Sequence, residues 1–100
     1  MRRIADLVDH IKDEIEGAYC YAEAYIDYKS FGNNERATIY RKMAQDELDH
    51  AINIHSIAQQ DIERIRKVYP NPPEEMRREW DHVHAEMMDK TAVVKNMLSL

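Results

Sequence analysis

The chain has 100 residues, of which 44% are hydrophobic and 33% charged, and its formal net charge is -5. This length and balance suit one folded domain, 1–100, and exclude a disordered tail or a membrane span. The acidic charge argues against a nucleic-acid partner. With 2 glycines, 3 prolines and 1 cysteine, the sequence favours an all-α fold without a disulfide. No signal peptide is recognisable, so we expect a cytoplasmic protein.

The first predicted helix covers about residues 4–29. Gly32 in the following segment suits a left-handed C-cap, and either Asn33 or Asn34 suits the next N-cap. The short loop predicts a long antiparallel hairpin with the second helix. Apolar residues recur at three- and four-residue spacing and predict one buried stripe: Ile4, Leu7, Val8, Ile11, Ile15, Ala18, Ala22, Tyr25 and Ile26.

The second predicted helix covers about residues 35–68 and ends before a proline-rich segment, 69–73. Its predicted stripe consists of Ile39, Met43, Glu47, His50, Ile54, Ile57 or Ala58, Asp61, Ile65 and Val68. The third predicted helix covers about residues 73–98, and Pro72 or Pro73 can open it. One face of this helix carries Met76, Trp80, Val83, His84, Met87, Thr91, Val94 and Leu98.

Two polar residues stand on the predicted stripe of the second helix. Glu47 and His50 are three residues apart, so their side chains lie nearly one above the other. A carboxylate is rarely buried unless it is paired or bound to a metal ion. Carboxylate and imidazole together can bind iron, and a glutamate can bridge to a second ion. The pair therefore indicates a metal site.

A third candidate ligand lies on the first helix. Glu14 is at the edge of the apolar stripe, whereas Glu16 points further from it on the other side. In an antiparallel hairpin with its turn near residues 31–32, Glu14 and Glu47 are about equally far from the turn. We therefore expect these two carboxylates to meet at a similar height. The alternative is a buried polar cluster that fixes the register of an interface without metal.

These residues resemble the ferritin-like di-iron carboxylate proteins, most closely the first two helices of bacterioferritin. Segment 46–51, Asp-Glu-Leu-Asp-His-Ala, is similar to the family's second-helix Glu-x-x-His. Segment 13–15, Asp-Glu-Ile, with Tyr21 seven residues after Glu14, is similar to its first-helix ligand and nearby tyrosine. The resemblance covers about residues 5–65. It implies Glu14, Glu47 and His50 as ligands, with Tyr21 either bonded to a ligand or simply packed.

The family's complete site uses two single glutamates and two Glu-x-x-His pairs from four helices, and this chain supplies half of that set. Encapsulated ferritins resemble it in size and in carrying half of the ligands. The resemblance therefore implies a homodimer whose two hairpins form a four-helix core, within an even-numbered homo-oligomer. The third helix offers other candidates. Glu79 and His82 are predicted to face solvent, and His84 is either a core residue or a metal contact.

The function that the resemblance implies is a ferroxidase that oxidises Fe(II) to Fe(III) with oxygen or peroxide at a shared di-iron centre. Glu47 of each subunit would bridge the two ions, and each ion would take His50 and a terminal Glu14. Manganese accepts the same ligands. A role in iron storage or detoxification would need a cage or an enclosing shell protein. Two alternatives remain: a rubrerythrin-like protein that reduces peroxide or oxygen, and a non-enzymatic helical assembly or adaptor protein.

Overall fold

The computed structural model describes residues 2–68 and 74–100, without the side chains of residues 2, 3, 75 and 76. This part of the chain forms three helices, α1 (Arg2–Ser30), α2 (Asn34–Val68) and α3 (Glu74–Leu98). It contains no strand, which confirms the predicted all-α class. The prediction that Pro72 or Pro73 opens α3, and the placement of the Met76 side chain, fall outside the described residues. None of the described helices combines the length and apolar character needed to span a bilayer.

The turn between α1 and α2 has the predicted capping residues. Gly32 has a φ of 76°, in the left-handed region that L side chains rarely adopt. Its N–H donates to Lys29 O at 3.0 Å, and the N–H of Asn33 donates to Tyr28 O at 2.9 Å. The Oδ1 atom of Asn33 accepts the N–H of Arg36 at 3.2 Å. Of the two asparagines, Asn33 is therefore the N-cap of α2.

The predicted stripe of α1 lies at the centre of the molecule. Its residues are buried except Leu7 and Ile26, which are half-buried. One half of the stripe packs into a cluster of Ile4, Val8, Ile11, Ile15, Ala51, Ile62, Val83 and Met87. The other half packs into a cluster of Ala18, Ala22, Tyr25, Ala37, Ala44, Leu48, Val94 and Leu98. All three helices thus contribute to both halves of the core.

The predicted buried face of α2 is wrong. It is rotated about the helix axis by about 100° from the observed one, which is the angle between successive residues. The buried residues are Ala37, Ala44, Leu48, Ala51, Ala58 and Ile62, so Ala58 rather than Ile57 belongs to the core. Ile39 and Ile57 are 53% and 50% exposed, and His50 and Val68 are also exposed. The reason is steric, because small alanine side chains let α1 and α2 approach closely. Larger apolar residues lie beside the contact.

Helix α3 runs parallel to α1 and covers one side of the hairpin. Its end lies near the turn, where Arg41 Nε donates to Leu98 O at 3.2 Å and Lys29 Nζ donates to Leu100 O. On α2, the residues that hydrogen-bond α3 are Arg41 and His55. Because successive residues of a helix are about 100° apart, the side chains of Arg41 and His55 point away from those of Ile39 and His50.

No other described element covers the opposite side of the hairpin, which we call the open flank. It comprises Glu14, Gly17 and Tyr21 of α1 with Ile39, Met43, Glu47, His50, Ile54 and Ile57 of α2.

Candidate metal centre

The open flank brings together the three side chains singled out in the hairpin. One ligand atom from each of Glu14, Glu47 and His50 lies within 4.8 Å of the other two. Glu14 comes from α1, whereas Glu47 and His50 come from successive turns of α2. Among the side chains that the structure describes, this is the only such group of three histidine, cysteine or acidic residues. Antiparallel packing at the predicted height therefore produces the group.

Burial differs sharply across the group. The Glu14 side chain is 17% exposed and that of His50 is 56% exposed, while Glu47 is half-buried. The Oε2 atom of Glu14 is buried and has no hydrogen-bond partner. Its nearest basic atom is His50 Nδ1 at 3.5 Å. A buried oxygen without a partner is costly unless a proton or cation satisfies it, so this atom points to a ligand between the helices.

His10 positions Glu14 from one turn earlier in α1. Its Nε2 atom lies 3.0 Å from Glu14 Oε1, so the imidazole N–H can donate to that oxygen. This bond engages one carboxylate oxygen and leaves Oε2 directed at the other two members of the group. The sequence reasoning missed His10. A histidine four residues before a candidate ligand, on the same helical face, is the signal that could have found it.

Gly17 provides the space for Glu47. A Cβ atom at Gly17 would lie 3.1 Å from Glu47 Oε2 and 3.6 Å from its Cδ. Glycine in a helix interior costs about 1 kcal/mol relative to alanine, so its presence here calls for a steric reason. Sequence reasoning missed this residue too, although a glycine three residues after Glu14 in an unbroken helical pattern is a recognisable sign of close approach.

The two carboxyl groups affect each other's ionisation. The neighbouring Glu14 carboxylate raises the pKa of Glu47, and burial adds to that effect. The interaction with Glu47 lowers the pKa of Glu14, helped by His10 and His50 and opposed by burial. Two carboxylates this close do not both ionise easily without a counter-charge. A divalent cation would supply that charge, and its binding would compete with protons for the carboxylate oxygens.

The donor atoms define which chemistry is possible. Two carboxylates and one imidazole suit first-row transition ions and Mn²⁺, with the carboxylates favouring harder ions. Three protein ligands leave further coordination positions for water, a substrate oxygen or residues of another chain. The Glu14–Glu47–His50 group can therefore hold a metal ion in an open site.

The remaining candidate residues are not members of the group. Tyr21 is half-buried with its ring 6.1 Å from that of Tyr40, and no hydrogen bond to Glu14 is found in the described part of the chain. His84 is exposed on α3, where its Nδ1 atom lies 2.9 Å from His55 Nε2. Glu79 and His82 are both exposed, as the helical wheel predicts.

Comparison of the chain with protein-family models, curated proteins and solved structures found no match. The class that the fold and the site define is a three-helix protein with a carboxylate–histidine group on one flank of its hairpin. A functional conclusion therefore depends on the geometry of that group.

Proposed function

We propose that this chain is a ferritin-like iron-binding protein that oxidises Fe(II) to Fe(III). The observation that carries the proposal is the convergence of Glu14, Glu47 and His50 within 4.8 Å around a buried, unpartnered carboxylate oxygen. The group joins the two helices of the hairpin with one glutamate on one helix and a Glu-x-x-His pair on the other, which is half of a ferritin-like ligand set.

A second copy of the chain would complete the site. In a twofold dimer each chain presents the same surface, so two open flanks facing each other would bring two ligand sets together. The exposed apolar residues support this arrangement, because Ile39 and Ile57 lie on the flank that carries the ligands. The two hairpins would form a four-helix core, and larger assemblies would contain an even number of chains.

Iron enters this reaction as the substrate. Each Fe(II) loses one electron, and dioxygen or peroxide accepts the electrons together with protons. The carboxylates of Glu14 and Glu47 stabilise the ferric product because oxygen donors favour the harder ion. The positive charge of the bound ion offsets the negative charge of the two carboxylates. Detoxification needs only this step, whereas storage also needs an enclosing shell around the dimer, in the cytoplasm or in a protein compartment.

Native mass spectrometry before and after anaerobic addition of Fe(II) tests the proposal. We expect an even number of chains with two irons per dimer, followed by oxygen consumption when air is admitted. Glu47→Gln preserves the size of the side chain but weakens the ligand, so iron affinity should fall about 10–100-fold or more. Glu16→Gln, an exposed change on α1, is the matched control and should leave binding unchanged. Mn²⁺ is titrated in parallel.

Three outcomes would contradict the ferroxidase. An oligomer that takes up no iron, and whose mass changes in Glu47→Gln, supports an assembly protein whose polar cluster sets the register. Iron binding with rapid consumption of peroxide but no lasting Fe(III) product supports a rubrerythrin-like peroxide reductase. Binding of Mn²⁺ in preference to Fe(II) assigns the site to manganese.

A further inference from the structure

A pair of histidines joins α2 to α3 on the side of the hairpin away from the open flank. His55 Nε2 and His84 Nδ1 lie 2.9 Å apart, and the two ring centroids are 5.0 Å apart. One nitrogen donates its proton and the other accepts it through a lone pair. The contact bridges two helices that otherwise meet mainly through α1, which both clusters of the core share.

Trp80 holds His55 in place. The indole ring stacks on the imidazole at 5.0 Å between centroids with an interplanar angle of 25°. His55 is half-buried, whereas His84 is exposed and reachable from solvent. Burial, with a smaller contribution from His84, lowers the pKa of His55. The pair thus places one half-buried, stacked imidazole beside one imidazole that faces solvent.

The two nitrogens are near enough to hold one ion if their hydrogen bond is replaced. Metal–imidazole bonds are about 2.0–2.1 Å long, so two neighbouring nitrogens around a square-planar ion such as Cu²⁺ or Ni²⁺ lie about 2.9 Å apart, and those around tetrahedral Zn²⁺ about 3.4 Å apart. The hydrogen-bonded nitrogens now face each other, so the exposed His84 ring would turn to direct its lone pair at the ion. The donating ring moves its proton to its other nitrogen, so both lone pairs can face the ion without net proton release.

We propose that His55 and His84 form a second metal site that takes a late first-row divalent ion, Cu²⁺ before Ni²⁺ and Zn²⁺. The order follows the general affinity of nitrogen donors for these ions. Two imidazoles without a carboxylate discriminate against Fe²⁺ and Mn²⁺, whereas Glu14 and Glu47 favour them. The chain therefore carries two sites with different metal preferences, one on each side of its hairpin.

The proposed site would fasten α3 to α2. A ligand that binds only the folded state stabilises it by an amount that increases with the ratio of free ligand concentration to Kd, and this ion would bridge helices that come from separate parts of the chain. The remaining coordination positions face solvent beside exposed His84 and would hold water. The effect is structural, and it is independent of the function proposed for the carboxylate group.

Fluorescence of Trp80 provides the test, because it is the single tryptophan of the chain and stacks directly on His55. CuSO4 alone is titrated into tag-free protein in a non-chelating buffer, in a Glu47→Gln background that weakens the carboxylate group. We expect saturable quenching and a higher unfolding temperature. His84→Ala should lower the copper affinity by about tenfold or more, since it removes a ligand rather than a supporting residue.

His82→Ala is the matched control, because His82 is an exposed histidine on the same helix, and it should leave both readouts unchanged. His55→Gln provides a second ligand variant, with circular dichroism to establish that the helices are intact. Equal copper affinity with and without His84, or quenching that does not saturate, would overturn the proposal. So would a rise in unfolding temperature that persists in His84→Ala.

Discussion

At the level of single residues, the candidate metal centre depends on two neighbours that are not members of the ligand group. His10 engages Glu14 Oε1 at 3.0 Å, and the absence of a side chain at Gly17 leaves room for Glu47. The result is one carboxylate oxygen buried without a partner. Such an arrangement costs folding free energy, and a cation bound at this group would recover that cost.

Gly17→Ala separates stability from binding. Alanine favours the helix by about 1 kcal/mol over glycine, but its Cβ would lie 3.1 Å from Glu47 Oε2. Because that contact is tight, the carboxylate must move by a few tenths of an ångström. We expect the unfolding temperature to stay constant or rise while metal affinity falls several-fold, measured by thermal denaturation and by calorimetric titration with Fe(II) under anaerobic conditions.

Gly17→Ser should weaken binding further, because its hydroxyl adds bulk on the same side. The matched control is Ala24→Gly, seven residues or two helical turns further along the same flank, which removes a methyl group without approaching Glu47. Unchanged metal affinity in Gly17→Ala would contradict the inference that Gly17 provides the space for the Glu47 carboxylate.

At the level of elements, the sequence predicted α1 and α3 more accurately than α2. The bulky apolar residues of α1 mark its buried face directly, and Gly32 and Asn33 mark the turn through conformations that few other residues provide. In α2 the buried residues are mostly alanines, which carry little hydrophobic signal. The predicted stripe was therefore assigned to larger residues such as Ile39 and Ile57, which lie about 100° around the helix from the actual contact with α1.

The cap of α2 offers a prediction with an internal control. Asn33 Oδ1 accepts the N–H of Arg36 at 3.2 Å, so Asn33→Ala leaves that donor without its partner. We expect a loss of about 1 kcal/mol in the free energy of unfolding, measured by urea denaturation. Asn34 contributes its backbone carbonyl to Thr38, which alanine preserves, so Asn34→Ala should change stability much less. Equal losses in both variants would contradict the assignment of Asn33 as the cap.

The candidate metal centre was predictable only in part from the sequence. Glu14, Glu47 and His50 could be found because the hairpin geometry fixes their relative height, and polar residues stood out along a helical face. His55 of the proposed second site could not be found in this way. Its partner, His84, lies on α3, and the periodicity of the sequence does not show where α3 packs against the hairpin. Gly17 and His10 act through distances of about 3 Å, and such contacts emerge only when two helices are packed against each other.

At the level of the whole molecule, α2 carries two apolar stripes, an alanine-rich one buried against α1 and a larger-residue one on the open flank. A monomer satisfies only the first. Ile39 and Ile57 are about half exposed and lie on either side of Glu47 and His50 along the flank. Half-buried Met43 and Ile54 lie between them, and a row of apolar side chains at the surface is typical of an interaction site. Since this surface and the ligands share one flank, dimer formation and metal binding should be lost together.

Ile57→Glu tests this coupling. A glutamate at position 57 would be buried in the apolar interface without a partner. The free energy of association would become less favourable by about 2–5 kcal/mol. We expect a dimer-to-monomer shift by light scattering and loss of the two-iron stoichiometry by native mass spectrometry. Helical content should stay constant in circular dichroism, because Ile57 is not part of the core.

Val93→Glu is the control that locates the effect. Val93 is 47% exposed, similar to Ile57, but lies on α3, away from the open flank. A variant that stays dimeric and binds iron normally would show that an added negative charge alone does not cause dissociation. Dissociation in Val93→Glu together with an intact dimer in Ile57→Glu would place the interface on α3. The Glu14–Glu47–His50 group would then have to act within a single chain, with its open coordination positions filled by water or substrate.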